Sequence, residues 1–171
     1  IFLPNYWPTY YTKSEGCKIW GLDKKKYIDL SYMGVGTNIL GYNNSQINRA
    51  VFEAIKSGNL TTLNNPEEII LAEKLTEIHQ WADMVKFART GAEANSIAIR
   101  LSRAFTKKEL VIFCGYHGWS DWYLANNLSD KKVDQHLLKG IQIEGVSKSL
   151  KNSILAFKYN EINQLKKIVN K

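Results

Sequence analysis

Residues 84–95 read Met84-Val85-Lys86-Phe87-Ala88-Arg89-Thr90-Gly91-Ala92-Glu93-Ala94-Asn95, and this stretch decides the fold. Its apolar first half predicts a short strand over 84–88, and the threonine and glycine lead into a helical pattern predicted over 92–105. A further apolar run, at 110–114, has no polar interruption, which is typical of a buried parallel strand. The alternation of strand and helix predicts an α/β fold with a parallel sheet.

Regular patterns continue on both sides of this stretch. Upstream, two apolar runs around a polar turn predict a β-hairpin over 19–30. Two helices follow, one with Ser45 as its N-cap and one that begins at Asn65-Pro66. Downstream, the pattern predicts a strand over 154–157 and a helix over 161–169.

The length and the two ends suggest a piece of a longer protein. A chain of 171 residues with 44% hydrophobic residues is sufficient for one folded core. The sequence begins without methionine at Ile1 and stops at Lys171 while the α/β alternation is still running. We therefore expect the chain to be a fragment.

Positive charge is concentrated late in the chain and does not favour a nucleic-acid partner. The net charge of +7 reflects 23 Lys and Arg against 16 Asp and Glu. Residues 131–171 hold nine Lys and three acids, so the remainder is nearly balanced. Only four basic residues are Arg, although the planar Arg side chain is the preferred reader of phosphates and bases. We expect no nucleic-acid partner.

The cysteines and the hydropathy pattern argue against metal binding and membrane insertion. Cys17 and Cys114 lack the short spacing to each other or to histidine that a metal site requires, so we expect reduced thiols and no metal. No apolar run approaches the roughly 20 residues of a membrane span. We expect a cytoplasmic protein with no membrane partner.

The turn at Thr90-Gly91-Ala92 is a candidate phosphate site. A helix N-terminus carries unpaired N–H groups and a positive dipole end, Gly91 allows close approach to the backbone, and Thr90 adds a hydroxyl. Such a turn also occurs for geometry alone, so that alternative stays open.

A second candidate follows the apolar run at 110–114. The cluster Tyr116-His117-Gly118-Trp119 lies where ligands collect, at the carboxyl end of a strand in an open sheet. An aromatic ring there can lie against a flat heteroaromatic ligand, with the glycine leaving room. The alternative is an aromatic corner that packs the loop, with His117 hydrogen-bonded inside it. Together the two turns predict a site for a phosphorylated aromatic cofactor.

These motifs resemble the class III aminotransferases, which are pyridoxal 5'-phosphate (PLP) enzymes of fold type I, and their glutamate-1-semialdehyde aminomutase-like branch most. The similarity covers nearly the whole chain, from the entry hairpin at Trp20-Gly21-Leu22-Asp23 to the turn at Tyr159-Asn160-Glu161. It implies an incomplete α/β fold: residues 1–60 as the N-terminal part of the small domain, and 61–171 as the first half of the large, mainly parallel-sheet domain.

The resemblance also implies the roles of the site residues. The N–H groups of Gly91 and Ala92 and the Thr90 hydroxyl hold the PLP phosphate. Tyr116 stacks on the pyridine ring, and His117 and Gly118 shape the pocket behind it. Glu93 and Asn95 belong to the motif, and whether they touch the cofactor or only cap and pack the helix stays open.

The reaction implied is transfer of an amino group between a small-molecule amino donor and an oxo acceptor, in a homodimer. The family's aldimine-forming lysine and its pyridinium-binding aspartate fall beyond the matched region, so the catalytic residues are unknown and neither Lys166 nor Lys171 is nominated. The fragment alone is expected to be inactive.

Two other functions stay open. The loop at Tyr32-Met33-Gly34-Val35-Gly36-Thr37 is shorter than in true aminomutases and lacks an expected tryptophan, which favours a transaminase over intramolecular amino transfer. The third reading is a non-catalytic α/β module that binds a phosphate-bearing ligand.

Overall fold

The described part of the chain divides into two units. The computed structural model of the protein describes residues 6, 8–58, 60–128 and 143–170. One unit ends at Asp83 and the other begins at Met84. The domain boundary expected between residues 60 and 61 rests on family resemblance and stays a prediction.

The elements of the two units follow one another in chain order. The first unit contains β1 (Tyr11–Glu15), β2 (Lys18–Gly21), β3 (Lys26–Ile28), α1 (Ser45–Ser57) and α2 (Pro66–Ile78). The second contains α3 (Gly91–Thr106), β4 (Val111–Phe113), α4 (Asp121–Leu124), a 3-10 helix (Ala125–Leu128), a second 3-10 helix (Lys148–Leu150), β5 (Ile154–Ala156) and α5 (Ile162–Val169).

The predicted hairpin is present in the first unit. Strands β2 and β3 pair antiparallel, with Ile19 opposite Tyr27. Strand β1 adds a third strand on the other edge of β2, and the sequence did not predict it. Four of the five β1 residues are exposed, so the strand has no buried face and lacks the apolar alternation that reveals a strand.

The helix N-caps of the first unit correct one prediction and agree with another. Asn44, not Ser45, caps α1, because its side-chain oxygen accepts hydrogen bonds from the N–H groups of Gln46 at 3.1 Å and Ile47 at 3.2 Å. Both neighbours are good capping residues, and only the backbone conformation decides between them. Asn65 caps α2 as predicted, with Pro66 in the first helical position.

A hydrogen bond joins the end of the hairpin to the loop that precedes α1. The Tyr42 hydroxyl donates to the Asp29 carboxylate at 2.6 Å. This bond raises the pKa of Tyr42 from 10.0 to about 12. Hydrogen bonds from Ser31 and from Tyr42 lower the pKa of Asp29. Backbone bonds between Gly16 and Tyr42 in both directions, at 2.9 and 2.8 Å, tie the same loop to the end of β1.

The predicted strand over 84–88 is wrong. These residues are irregular, and no described strand pairs with them. A strand exists only where a neighbour completes its hydrogen bonds, and an apolar pattern carries no information about that neighbour. The predicted helix over 92–105 is confirmed as α3, with bounds extended by one residue at each end.

A parallel strand pair forms the centre of the second unit. Strands β4 and β5 pair in register, with Val111 opposite Ile154 and Phe113 opposite Ala156. This confirms the parallel sheet predicted from the apolar run at 110–114. The core on this pair contains six buried residues: Phe113, Tyr123, Leu124, Ala125, Ile154 and Ala156.

The polar passage after α4 is more ordered than its sequence suggests. Residues 125–128 form a 3-10 helix, and the Asn126 side chain is buried. Its side-chain oxygen accepts a hydrogen bond from the N–H of Ala156 at 2.9 Å. Asn126 therefore satisfies a strand N–H at the edge of β5. Ser129 and Asp130, which continue this polar passage, lie outside the described residues.

The helices have the predicted apolar faces but do not bury them. In α1 the face formed by Ile47, Val51 and Ile55 is exposed, and neither α2 nor α3 has a fully buried residue. The spacing of apolar residues therefore identifies the side chains that share a helix face. It does not show whether that face is buried, because burial requires a packing partner, and the described residues provide none that covers it.

We predict that Tyr42→Phe flattens the alkaline limb of the stability profile. A tyrosine whose pKa is raised from 10.0 to about 12 adds stability that is fully present below pH 10 and is lost as the pH rises towards 12. The lost amount is about 1 kcal/mol, the typical worth of one hydrogen bond. Urea unfolding at a series of pH values measures it.

The acid limb should change in the same variant. The lowered pKa of Asp29 adds stability that is present above its ordinary value of 3.8 and is lost as the pH falls below it. Tyr32→Phe, which removes an exposed hydroxyl, is the control. Parallel profiles for the wild type and Tyr42→Phe would show that this bond does not stabilise the fold.

Candidate functional site

The N-terminus of α3 has two backbone donors available for an anion. Thr90 is the N-cap, and its hydroxyl oxygen accepts a hydrogen bond from the N–H of Glu93 at 3.2 Å. The carbonyl of Thr90 accepts from the N–H of Ala94 at 3.0 Å. Among the described residues no partner is found for the N–H groups of Gly91 and Ala92. These donors lie at the positive end of a 16-residue helix.

The Glu93 side chain caps the chain that enters this helix. Its carboxylate accepts a hydrogen bond from the N–H of Arg89 at 2.8 Å. The Glu93 side chain thus supports the turn, and whether it also touches a cofactor stays open. Since it bonds to Arg89, it leaves the N–H groups of Gly91 and Ala92 unoccupied.

The loop after β4 passes close to the N-terminus of α3. A Cβ at Gly118 would lie 3.1 Å from the Ala92 Cβ, and Gly118 has a φ of +94°. Both the close approach and the backbone conformation therefore favour glycine at this position. The Asn95 side-chain amide donates to the His117 carbonyl at 3.5 Å. Asn95 thus links α3 to the loop, and whether it also touches a cofactor stays open.

The loop presents Tyr116 outward and His117 inward. The Tyr116 side chain is 57% exposed. The His117 ring is bonded through Nε2 to the Cys114 carbonyl at 2.8 Å and packs edge-on against Phe113, with ring centroids 5.8 Å apart. The sequence offered a stacking platform and an aromatic corner as alternatives. His117 forms the aromatic corner, and the stacking role of the exposed Tyr116 stays a prediction.

The aromatic cluster behind the loop was not predicted from the sequence. Trp122 and Tyr123 of α4 pack on Phe113 and on each other, with ring centroids 5.3–6.0 Å apart. Tyr123 is fully buried. Ser120 and Asp121, followed by four apolar residues, are a helix-start signal that identifies this segment in retrospect.

All six predicted site residues therefore lie in two adjoining turns. Open donors at one turn suit a phosphate, and an exposed aromatic face at the other suits a flat ring. The residues are Thr90, Gly91 and Ala92 at the start of α3, and Tyr116, His117 and Gly118 after β4.

The described part of the chain contains few other side chains that suggest a metal site or a catalytic site. No cluster of three or more metal-ligating side chains occurs there. Cys17 and Cys114 are both free thiols. His79 lies at the C-cap of α2 with its ring against Trp81, at 5.9 Å between centroids. The search for membrane spans found no helix of sufficient length and hydropathy in this part of the chain.

Comparison with known proteins assigns the family. The family model described as aminotransferase class-III matches residues 4–170. The chain belongs to the class III aminotransferases. The resemblance stated from the motifs is thereby confirmed.

Two curated relatives show which activities occur among similar proteins. The chain is 31% identical over 169 residues to the 3-aminobutyryl-CoA aminotransferase of Cloacimonas acidaminovorans, covering 98% of this chain and 37% of that protein. It is 32% identical over 163 residues to the glutamate-1-semialdehyde 2,1-aminomutase of Sulfurisphaera tokodaii, covering 94% of this chain and 38% of that one. The chain thus spans less than two fifths of the length of these relatives.

A solved structure supports the fold. The FumI protein of Sphingopyxis sp. MTA144, determined in its PLP internal aldimine form, superposes with a TM-score of 0.79 and 27% sequence identity. The match covers 98% of this chain and 37% of that protein. The predicted fold class, an α/β chain that represents part of a fold type I transferase, is confirmed.

We predict that Gly118→Ala lowers the free energy of unfolding of this class III family member more than Gly115→Ala does. Both glycines have positive φ, +94° and +88°, so alanine at either position costs about 1–2 kcal/mol of backbone strain. Only at 118 does the new Cβ meet Ala92, which adds about 1–3 kcal/mol for overpacking. Chemical denaturation of both variants measures the difference. Equal destabilisation would mean that the contact with Ala92 relaxes without cost.

Proposed function

We propose that the full-length protein is a PLP-dependent aminotransferase that moves an amino group from a small-molecule amino donor to an oxo acceptor. The observation that carries this proposal is the pairing of open N–H groups at Gly91 and Ala92 with the exposed ring of Tyr116, in a class III family member. Relatives with aminotransferase activity support it.

The start of α3 suits the phosphate of PLP. The N–H groups of Gly91 and Ala92 donate to its oxygens, and a Cβ at Gly91 would meet nothing within 4 Å, so the approach to the backbone is open. The Thr90 hydroxyl uses a lone pair to accept from Glu93 and keeps its proton to donate to the phosphate. Capping and anion binding are therefore compatible at Thr90.

The loop after β4 suits the pyridine ring. Tyr116 offers an exposed face for stacking, while His117, held by the Cys114 carbonyl, and Gly118, close to Ala92, form the wall behind it. When bound, PLP supplies an electron sink that stabilises negative charge at the substrate carbon. The residues of this chain bind the cofactor and orient it, and no lysine of this chain is proposed for covalent attachment.

Intramolecular amino transfer is the second candidate, because the aminomutase of Sulfurisphaera tokodaii is as similar to this chain as the aminotransferase is. The two functions differ in stoichiometry. An aminotransferase releases an oxo product from the donor and requires an acceptor, whereas an aminomutase converts one amino aldehyde into its isomer without either.

The remaining properties of the whole protein are proposed by resemblance alone. A homodimer is expected, as in the family. The cytoplasmic location and the lack of a nucleic-acid or membrane partner stay predictions.

The test of this proposal uses the full-length protein with PLP. We expect bound cofactor to give an absorbance band that shifts when an amino donor is added, and an oxo product to appear. Borohydride should lock the cofactor to a single lysine outside residues 1–171, which peptide mapping locates. A lysine within 1–171 would overturn the assignment of this chain to binding alone. A protein that binds phosphate compounds but never shifts the band would be a non-catalytic module.

We predict that Tyr116→Ala weakens PLP binding about fivefold, since a ring pair contributes about 1 kcal/mol beyond its area burial. Equilibrium dialysis measures the dissociation constant. Tyr11→Ala is the control, because it removes an exposed ring of the other unit. An unchanged constant for Tyr116→Ala would remove this residue from the stacking role.

A further inference from the structure

The buried ring of Tyr123 lies at the centre of the aromatic cluster behind the proposed cofactor site. It meets the rings of Phe113 at 5.3 Å, Tyr116 at 5.6 Å, Trp122 at 5.9 Å and His117 at 6.3 Å between centroids. All four contacts are edge-to-face, the arrangement that aromatic quadrupoles favour. Tyr123 therefore connects the core on β4 with both aromatic side chains of the loop.

Tyr116 depends on this contact more than His117 does. Among the described residues, Tyr123 is the one ring in contact with Tyr116, at an interplanar angle of 84°. His117 has two further ring neighbours and the hydrogen bond to Cys114. An exposed tyrosine with one ring contact changes rotamer easily once that contact is lost.

The Tyr123 hydroxyl does not explain the position of this side chain. It is buried, and no hydrogen-bond partner for it is found in the described part of the chain. Burial, and to a smaller extent the nearby Tyr116, raise the pKa of Tyr123, so the phenol stays neutral at physiological pH. The side chain is held instead by its ring contacts and by packing in the apolar core on β4 and β5.

We propose that Tyr123 is a positioning residue for the cofactor site: its buried ring fixes the ring of Tyr116 and so sets the angle at which the exposed face of Tyr116 meets a bound pyridine ring. Tyr123 acts through Tyr116 and need not touch the cofactor. The inference rests on the proposed function, and it assigns a role to a residue outside the two binding turns.

The experiment compares Tyr123→Leu with Tyr123→Phe in the full-length protein. The probe is pyridoxamine 5'-phosphate, which binds through the same phosphate and ring without a covalent bond to lysine. We expect Tyr123→Leu to raise its dissociation constant about three- to tenfold, the range for loss of one edge-to-face pair. The induced circular dichroism per bound cofactor should also change, because it depends on the pose of the ring. Tyr123→Phe should keep both properties.

Leu124→Val is the matched control. Leu124 is a buried neighbour on α4 with no ring, so this variant loses core packing but should keep the affinity and the dichroism of its folded fraction. Thermal unfolding of each apo variant separates lost fold from lost binding. Wild-type affinity and dichroism in Tyr123→Leu would overturn the proposal, as would equal losses in Tyr123→Phe and Tyr123→Leu, which would assign the role to the hydroxyl. A wild type that does not bind the probe would instead contradict the proposed function.

Discussion

The approach of Gly118 to Ala92 is the contact on which the geometry of the site depends. A side chain at 118 would be crowded by the helix end, because a Cβ there would lie 3.1 Å from that of Ala92. The bond from Asn95 to the His117 carbonyl holds the same two segments together. These contacts place the loop that carries Tyr116 next to the start of α3, where the N–H groups of Gly91 and Ala92 lie. Two turns far apart in sequence thus act as one surface.

The hydrogen bonds that cap α3 stabilise the helix without using the N–H groups of Gly91 and Ala92. Four N–H groups at a helix start lack partners within the helix, and a nearby carboxylate commonly takes them. Here Thr90 satisfies the N–H of Glu93, and Glu93 reaches past the helix to Arg89. Among the described residues, no partner is found for the N–H groups of Thr90, Gly91 and Ala92, and those of Gly91 and Ala92 are adjacent donors within α3. The caps therefore use other donors than those proposed for the phosphate, so the two roles do not compete.

The sequence alone predicted the structural features that depend on residues close together in the chain. Asn65 as a cap, the hairpin, α3 and the parallel run at 110–114 follow from residue type and spacing. The predicted strand over 84–88 is absent because a strand requires a second strand to pair with. The exposed apolar face of α1 shows the same dependence on a packing partner elsewhere in the chain. The six predicted site residues were selected from short motifs, and the structure brings them into two adjoining turns, while their roles stay predictions. Asn126 and Tyr123 could not be selected in this way, since their roles arise from contacts made after the chain has folded.

Tyr123 shows why a residue of this kind escapes sequence reasoning. Burial of an aromatic side chain stabilises a fold by about 1.5–3 kcal/mol. A buried hydroxyl with no partner costs about 1–3 kcal/mol, which offsets much of that gain. Since phenylalanine would bury the same ring without this cost, stability alone favours phenylalanine over tyrosine at this position. What distinguishes the side chain is its contact with four rings at once, two of them in the binding loop. The ring of Tyr123 thus belongs both to the core on β4 and to the contacts that orient the exposed ring of Tyr116.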